Sequence, residues 1–137
     1  MKDKTTAQKQ KCILVVEDNE DMCQMVALML ERAGYSVAQA ADGQTALAHA
    51  KQYRPDLILM DMSLPCMSGW EAVELLRKMP EFRDTPFIAV TAHASAADQA
   101  HALAVGCTAH VSKPFKTRRL LQTIEQLLQD GENTHAS

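Results

Sequence analysis

The residue that the sequence singles out for chemistry is Asp61, a single carboxylate at the end of the apolar run Leu57–Met60. A short apolar run without alternation is typical of a strand buried on both faces of a parallel sheet. A charge at the end of such a strand is costly to remove from water unless it opens into a crevice. Ligands of open α/β sheets bind in a crevice at the carboxyl ends of the strands. We therefore predict that Asp61 is the working residue of a site at that edge.

Polar residues also follow the other apolar runs of the chain. In chain order they are Glu17 and Asp18 after Cys12–Val16, Asp61 after Asp56–Met60, Thr91 after Phe87–Val90, and Lys113 after Ala109–Ser112. The carboxyl ends of parallel strands lie along one edge of a sheet. We therefore expect these side chains to gather at a single site.

Between the strands, apolar residues recur at helical spacing. The predicted helices are about Glu20–Ala33, Gln44–Gln52, Gly69–Met79, Ser95–Val105 and Thr117–Gln129, with a weaker strand at Tyr35–Ala40. Five alternations of strand and helix indicate an α/β domain whose parallel sheet is covered on both faces. The expected organisation is a disordered arm over 1–10, one domain over 11–130 and a short tail over 131–137.

Composition excludes several classes of protein. With 137 residues, 47% hydrophobic and 23% charged, the chain has the make-up of one ordinary globular domain. A net charge of −3 gives no reason to expect nucleic-acid binding. No apolar stretch approaches the roughly 20 residues of a membrane span. The polar first ten residues lack the apolar segment of a signal peptide, so we expect a cytoplasmic protein.

Carboxylates, a hydroxyl and an amine at one edge have a specific chemistry. Three carboxylates close together repel one another, and a hard divalent cation such as Mg²⁺ makes their proximity tolerable. A carboxylate is also a nucleophile for phosphoryl transfer and then forms an acyl phosphate. Catalysis of that transfer is mainly positioning and electrostatics. Lys113 and the metal can offset the charge of the transferred group, while Thr91 can donate a hydrogen bond to it.

Four segments carry a resemblance to a known family: VVEDNE, LILMDMSLPCMSGWE, VTAHA and HVSKPF. In this order and spacing they resemble the receiver domain of two-component response regulators, from about Lys11 to Gln129. In size the chain is similar to stand-alone receivers such as the chemotaxis regulator and the single-domain cell-polarity regulators. The resemblance implies a flavodoxin-like, doubly wound sheet of five parallel strands in the order 2-1-3-4-5, with five helices.

The resemblance also implies roles for the site residues. Asp61 would accept a phosphoryl group from a phosphohistidine on a sensor histidine kinase or a histidine phosphotransfer protein. Mg²⁺, for which Mn²⁺ could substitute, would be held by Asp18, Asp61 and the main-chain carbonyl of Ser63, with Glu17 acting through water. Lys113 would contact the phosphoryl group, and Thr91 would move toward it.

By the same analogy, such a chain promotes its own phosphorylation and dephosphorylation without being a conventional turnover enzyme. A downstream protein would bind the face formed by the fourth helix, the fifth strand and the fifth helix.

Several positions depart from, or vary within, the family pattern. Glu17 replaces the more frequent Asp and is one methylene longer. His110 stands where the family keeps a rotating switch residue, usually Tyr or Phe, and it can hydrogen-bond or titrate. Ser63 and His93 occupy the two positions at which family members vary and tune hydrolysis. We expect His93 to affect the lifetime of the phosphorylated state.

Other functions compete with this interpretation. A phosphatase of the haloacid-dehalogenase type would carry a second Asp two residues after the nucleophile, where this chain has Ser63. A flavodoxin would have a Ser/Thr/Gly-rich phosphate loop after the first strand, where this chain has Glu17 and Asp18. A pseudo-receiver that signals without phosphorylation, and a receiver that is a fragment of a longer hybrid kinase or regulator, remain open alternatives.

Overall fold

The computed structural model describes residues 10–64, 67–92 and 95–136, and within them five strands form one parallel sheet. The strands are β1 (Cys12–Val16), β2 (Ser36–Ala40), β3 (Leu57–Asp61), β4 (Phe87–Thr91) and β5 (Ala109–Ser112). Their order across the sheet is β2-β1-β3-β4-β5. The predicted doubly wound, flavodoxin-like α/β fold is therefore confirmed. In this order β1 and β3 are neighbours, and so are β3 and β4, which brings three strand ends together.

Within the same described ranges, five α-helices connect and follow the strands. They are α1 (Glu20–Arg32), α2 (Gly43–Tyr53), α3 (Gly69–Arg77), α4 (Ala96–Val105) and α5 (Thr117–Ala136). The first four begin at a side chain that accepts a hydrogen bond from the first turn, and these N-caps are Asn19, Asp42, Ser68 and Ser95. Because each cap satisfies an otherwise unpaired N–H group, it fixes where the helix starts after its strand.

Two helix ends differ from the sequence prediction by more than one residue. The sequence predicts a third helix that runs to Met79, whereas α3 ends at Arg77 and Pro80–Phe82 forms a short 3₁₀ helix. Proline lacks the N–H group that would continue the α-helical pattern. The sequence predicts that the last helix ends near Gln129, whereas α5 continues to Ala136. Glycine inside a helix costs only about 1 kcal/mol, so Gly131 does not end this one.

The core consists of two apolar layers, one on each face of the sheet. Strand side chains alternate between the faces, so a strand covered on both sides is apolar throughout. One layer joins Ile13, Val15, Leu57, Leu59, Ile88 and Val90 to α1 and α5 through Val26, Leu30, Leu120 and Ile124. The other joins Leu14, Val16, Ile58, Met60 and Ala89 to α2, α3 and α4 through Ala46, Ala50, Ala72, Val73, Leu76 and Ala102. This packing positions the strand ends at one edge of the sheet.

Candidate functional site

Three carboxylates meet at the carboxyl ends of β1 and β3. Glu17 and Asp18 directly follow β1, Asp61 is the last residue of β3, and these two strands are hydrogen-bonded neighbours. One oxygen from each carboxylate lies within 4.8 Å of the others. Glu17 and Asp61 are buried, whereas Asp18 is exposed. The structure therefore brings together the acidic residues that the sequence placed at one edge.

The amine of Lys113 reaches this cluster from the end of β5. Its Nζ lies 3.1 Å from Oε1 of Glu17 and 3.4 Å from Oδ2 of Asp61. The backbone N–H of Lys113 donates to the carbonyl of Thr91 at 2.7 Å, which ties the residue after β5 to the end of β4. One ammonium group thus contacts two buried carboxylates at the same time.

The surroundings of Glu17 disfavour the ionised form of its carboxyl group. Burial raises the pKa of the Glu17 carboxyl most strongly, and the charge of Asp61 raises it further. The N–H of Asn19, which donates to Oε2 of Glu17 at 3.1 Å, and the amine of Lys113 partly offset these effects. A second positive group at this edge would stabilise the ionised form of Glu17.

The same surroundings favour the charged form of Lys113. Burial lowers the pKa of its amine, but the hydrogen bond to Glu17 and the charges of Asp61 and Glu17 outweigh that effect. The pKa of Lys113 therefore lies above its ordinary value, which favours the charged ammonium beside Asp61.

The two residues directly after β3 are held close to the sheet edge by backbone hydrogen bonds. The N–H of Ser63 donates to Oδ1 of Asp61 at 3.0 Å, and the N–H of Met62 donates to Val90 at 2.9 Å. Gly69, at the start of α3, packs against the same backbone, since a Cβ atom there would lie 2.5 Å from the Asp61 carbonyl oxygen. The sequence predicts Gly69 only as a helix start and carries no signal for this close approach. The capping box between Ser68 and Glu71, readable as a serine three residues before a glutamate, marks where α3 must begin.

Thr91 and His110 contact each other directly. Oγ1 of Thr91 and Nε2 of His110 are 2.8 Å apart, across the paired strands β4 and β5. Thr91 is buried at the end of β4, while His110 is half-buried in β5. The family resemblance implies a switch role for both residues, but the hydrogen bond that joins them does not follow from the sequence.

Of the two positions predicted to tune hydrolysis, Ser63 lies within the described residues and His93 does not. Ser63 lies beside Asp61, as described above, and its role in hydrolysis and its carbonyl's role in metal binding stay predictions. His93 lies outside the described residues, so its expected effect on the phosphorylated state also stays a prediction.

The donor set fits a hard divalent cation. Three carboxylates face one ammonium group, so the cluster of Glu17, Asp18, Asp61 and Lys113 keeps an excess of negative charge. Carboxylate oxygens are the ligands that Mg²⁺ prefers, and Mg²⁺ commonly binds through one or two of them. The exposed Asp18 leaves the cluster open on one side, so that a cation and a further ligand can enter.

Comparison with known proteins agrees with this geometry. The model of the response regulator receiver domain family matches residues 13–125. The polar-differentiation response regulator DivK of Brucella anthropi is 40% identical over 121 residues, which cover 88% of this chain and 98% of that protein. The chain belongs to the receiver domain family of two-component response regulators.

Solved structures show the same relationship. The chemotaxis response regulator CheY4 of Vibrio cholerae superposes with a TM-score of 0.83 and 36% identity, covering 87% of this chain and 99% of that one. The receiver domain of a sensor histidine kinase of Pseudomonas aeruginosa has a TM-score of 0.81 and 35% identity, covering 88% and 98%. That second structure has a magnesium ion coordinated in its active-site cleft.

A helix that crosses a bilayer must be both long and apolar. Among the residues that the structure describes, none of the helices combines the length and the apolar character needed to cross a membrane.

Proposed function

We propose that this protein is a phosphorylation-controlled switch in which Asp61 accepts a phosphoryl group. The observation that carries the proposal is the position of Asp61, buried, with its Oδ2 atom 3.4 Å from Lys113 and within the acidic cluster of Glu17 and Asp18. The donor would be a phosphohistidine on a sensor histidine kinase or a histidine phosphotransfer protein. Family membership supports this class of donor.

The transfer is a displacement at phosphorus. An oxygen of the Asp61 carboxylate attacks, the P–O bond forms, and the P–N bond of the phosphohistidine breaks with its electron pair leaving on the imidazole nitrogen. The negative charge on the transferred group's oxygens must be offset in the transition state. Lys113 provides one positive charge at the required place, and the Thr91 hydroxyl at the end of β4 provides a hydrogen-bond donor.

The groups that would hold Mg²⁺ are the carboxylates of Asp18 and Asp61 and the main-chain carbonyl of Ser63. Glu17 would act through water, and Mn²⁺ could substitute for Mg²⁺. When bound, the cation supplies further neutralisation of charge on the phosphoryl oxygens and brings the donor and acceptor into line. The unfavourable environment of Glu17 and the excess of carboxylates over ammonium groups support a cation at this place.

We infer that the response to phosphorylation is a change in protein contacts at the face formed by α4, β5 and α5. Thr91 ends β4 just before the connection to α4, and its partner His110 lies in β5, so a movement of Thr91 acts on both elements. Leu103 on α4 is 62% exposed and would be available to a partner. Such a switch shifts the population of two surface conformations.

The first test is the intact mass of the protein after incubation with Mg²⁺ and a small phosphodonor such as acetyl phosphate. We expect the wild type to gain one phosphoryl group, and to lose this gain when Mg²⁺ is chelated. Asp61→Asn should gain none, because its amide is not a nucleophile for the transfer. The matched control is Asp84→Asn, an exposed acid in the loop before β4, which should behave like the wild type.

The competing pseudo-receiver function makes the opposite prediction. If neither a small phosphodonor nor a phosphohistidine donor added a phosphoryl group to the folded wild type, the proposed chemistry would be wrong. A gain in Asp61→Asn equal to that of the wild type would place the acceptor elsewhere.

A further inference from the structure

The helix α4 is held to the rest of the domain by little buried side-chain surface. The structure describes all ten of its residues, and of these Ala102 alone is buried, while Val105 packs partly against the core layer. A helix that buries so little apolar surface is stabilised only weakly against local movement. By comparison, α1 buries Cys23, Val26, Ala27 and Leu30. Contacts other than core packing therefore contribute to the position of α4.

One such contact is a ring stack between α4 and the start of α3. The imidazole of His101 lies on the indole of Trp70, with ring centroids 4.0 Å apart and ring planes inclined by 12°. At this separation the two ring faces are in van der Waals contact. Trp70 is half-buried and packs against the core layer, whereas His101 is exposed. The indole is therefore the fixed half of the stack, and the imidazole is the half that moves with α4.

The two halves of the stack are connected to the site by different routes. Gly69, directly before Trp70, lies against the backbone of Asp61, where a Cβ atom would be 2.5 Å from the carbonyl oxygen. The helix α4 instead follows β4, whose last residue is Thr91. A shift of the end of β4 relative to β3 therefore changes how His101 lies over Trp70.

The carboxyl end of α4 is fastened to α3 by a separate contact. Nε of Arg77, the last residue of α3, donates to the carbonyl of Gly106, the C-cap of α4, at 2.9 Å. This bond lies at the far end of both helices from the site edge. Of the two contacts, the ring stack is therefore the one that lies closer to Asp61 and Thr91 along these helices.

We propose that Trp70 and His101 are positioning residues that form a latch between α3 and α4, and that phosphorylation of Asp61 disturbs this latch. The inference rests on the proposed function, which places the phosphoryl group on Asp61 and the response at the end of β4. The same helix carries Leu103, which is 62% exposed on the face proposed to bind a partner. A closed latch keeps that face in one conformation, and an open latch allows the other.

The first test is amide hydrogen exchange, measured by mass spectrometry in the wild type and in His101→Ala without any phosphodonor. We expect exchange over residues 96–105 to be about five-fold faster in the variant, the effect of losing one aromatic contact. Alanine is a better helix former than histidine, so a change in helix propensity alone would slow exchange. The helix α5, on the opposite face of the sheet, should exchange at the wild-type rate.

Two further variants in α4 serve as controls for the exchange measurement. His101→Phe keeps a planar ring that can stack on the indole, so it should exchange like the wild type. Leu103→Ala removes an exposed apolar side chain from the same helix and leaves both rings in place, so it should also exchange like the wild type. His101 is exposed, so its substitution leaves the core intact, and circular dichroism verifies the fold.

The second test uses indole fluorescence, since Trp70 is the only tryptophan of the chain. His101→Ala exposes one face of the indole to water, so its emission spectrum should differ from that of the wild type. When the wild type is phosphorylated with acetyl phosphate and Mg²⁺, its spectrum should shift towards that of His101→Ala. The alanine variant should shift less, and Asp61→Asn should not shift. A stack that only stabilised the fold would not respond to the phosphoryl group.

Equal exchange of α4 in the wild type and in His101→Ala would overturn the inference. An unchanged emission spectrum in wild-type protein whose phosphorylation is verified by intact mass would also overturn it. Both results would leave the proposed function intact. Failure of the folded wild type to gain a phosphoryl group from either kind of donor would overturn the proposed function, and with it the response of the latch to phosphorylation.

Discussion

Lys113→Met is expected to slow phosphoryl transfer to Asp61 by about 100-fold, the usual effect of removing one group that stabilises charge in a transition state. The amine lies 3.4 Å from Oδ2 of Asp61 and is held there by Glu17 at 3.1 Å. Methionine has a similar length and no charge, so the variant removes the electrostatic contribution with little change in volume. The measurement is the rate of phosphoryl gain followed by intact mass with acetyl phosphate and Mg²⁺.

A measurement of Mg²⁺ binding distinguishes the loss of the Lys113 charge from a collapse of the site. Without Lys113, the three carboxylates keep more negative charge, so calorimetry should show that Mg²⁺ binding is retained or strengthened. Lys116→Met, an exposed lysine three residues further along the chain, should react at the wild-type rate. A Lys113→Met variant that binds Mg²⁺ and reacts as fast as the wild type would contradict the role given to this amine.

Arg77→Met is expected to lower the free energy of unfolding by about 2–3 kcal/mol, because it removes the side-chain donor of three backbone carbonyls. Within the described part of the chain, only the carbonyl of Phe82 keeps another donor, the N–H of Thr85. The guanidinium of Arg77 donates to the carbonyls of Gly106 at 2.9 Å, Phe82 at 2.8 Å and Arg83 at 3.1 Å. It also lies 4.4 Å from the ring centroid of Phe87, a cation–π contact. One side chain thus joins the end of α3 to the 3₁₀ helix, the start of β4 and the turn before β5.

Urea unfolding followed by circular dichroism measures this effect. Lys78→Met is the matched control, because Lys78 is the exposed neighbour of Arg77, and its unfolding free energy should change by less than about 0.5 kcal/mol. Arg77→Lys should recover only part of the loss, since one ammonium cannot reproduce the planar fork of a guanidinium. Equal stability of Arg77→Met and Lys78→Met would show that these bonds contribute little.

The sheet and the gathering of charge at its edge could be predicted because both follow from local patterns. Apolar runs identify strands that are buried on both faces, and the residue after each run must lie at the carboxyl end. Asp61 and Lys113, 52 residues apart in sequence, could be placed together on that ground alone. The strand order came from the family resemblance, and the structure agrees with it.

What could not be predicted depends on contacts between distant backbone segments. The approach of Gly69 to the Asp61 carbonyl and the three carbonyls bound by Arg77 are set by how α3 packs, and no pattern in the sequence records that packing. The bond from Thr91 to His110 depends on the register of β4 and β5 and on side-chain orientation. A histidine in a half-buried strand is as consistent with an ordinary packing position as with a partner for Thr91.

The measurement that tests the central claim most directly is the location of the phosphoryl group within the chain. Borohydride reduces an acyl phosphate to an alcohol, so a phosphorylated aspartate is converted to homoserine, which peptide sequencing by mass spectrometry identifies. After phosphorylation with Mg²⁺ and acetyl phosphate, we predict homoserine at position 61 and unmodified aspartate at Asp18. Homoserine at Asp18, or a stable gain of mass with aspartate intact at position 61, would contradict the account.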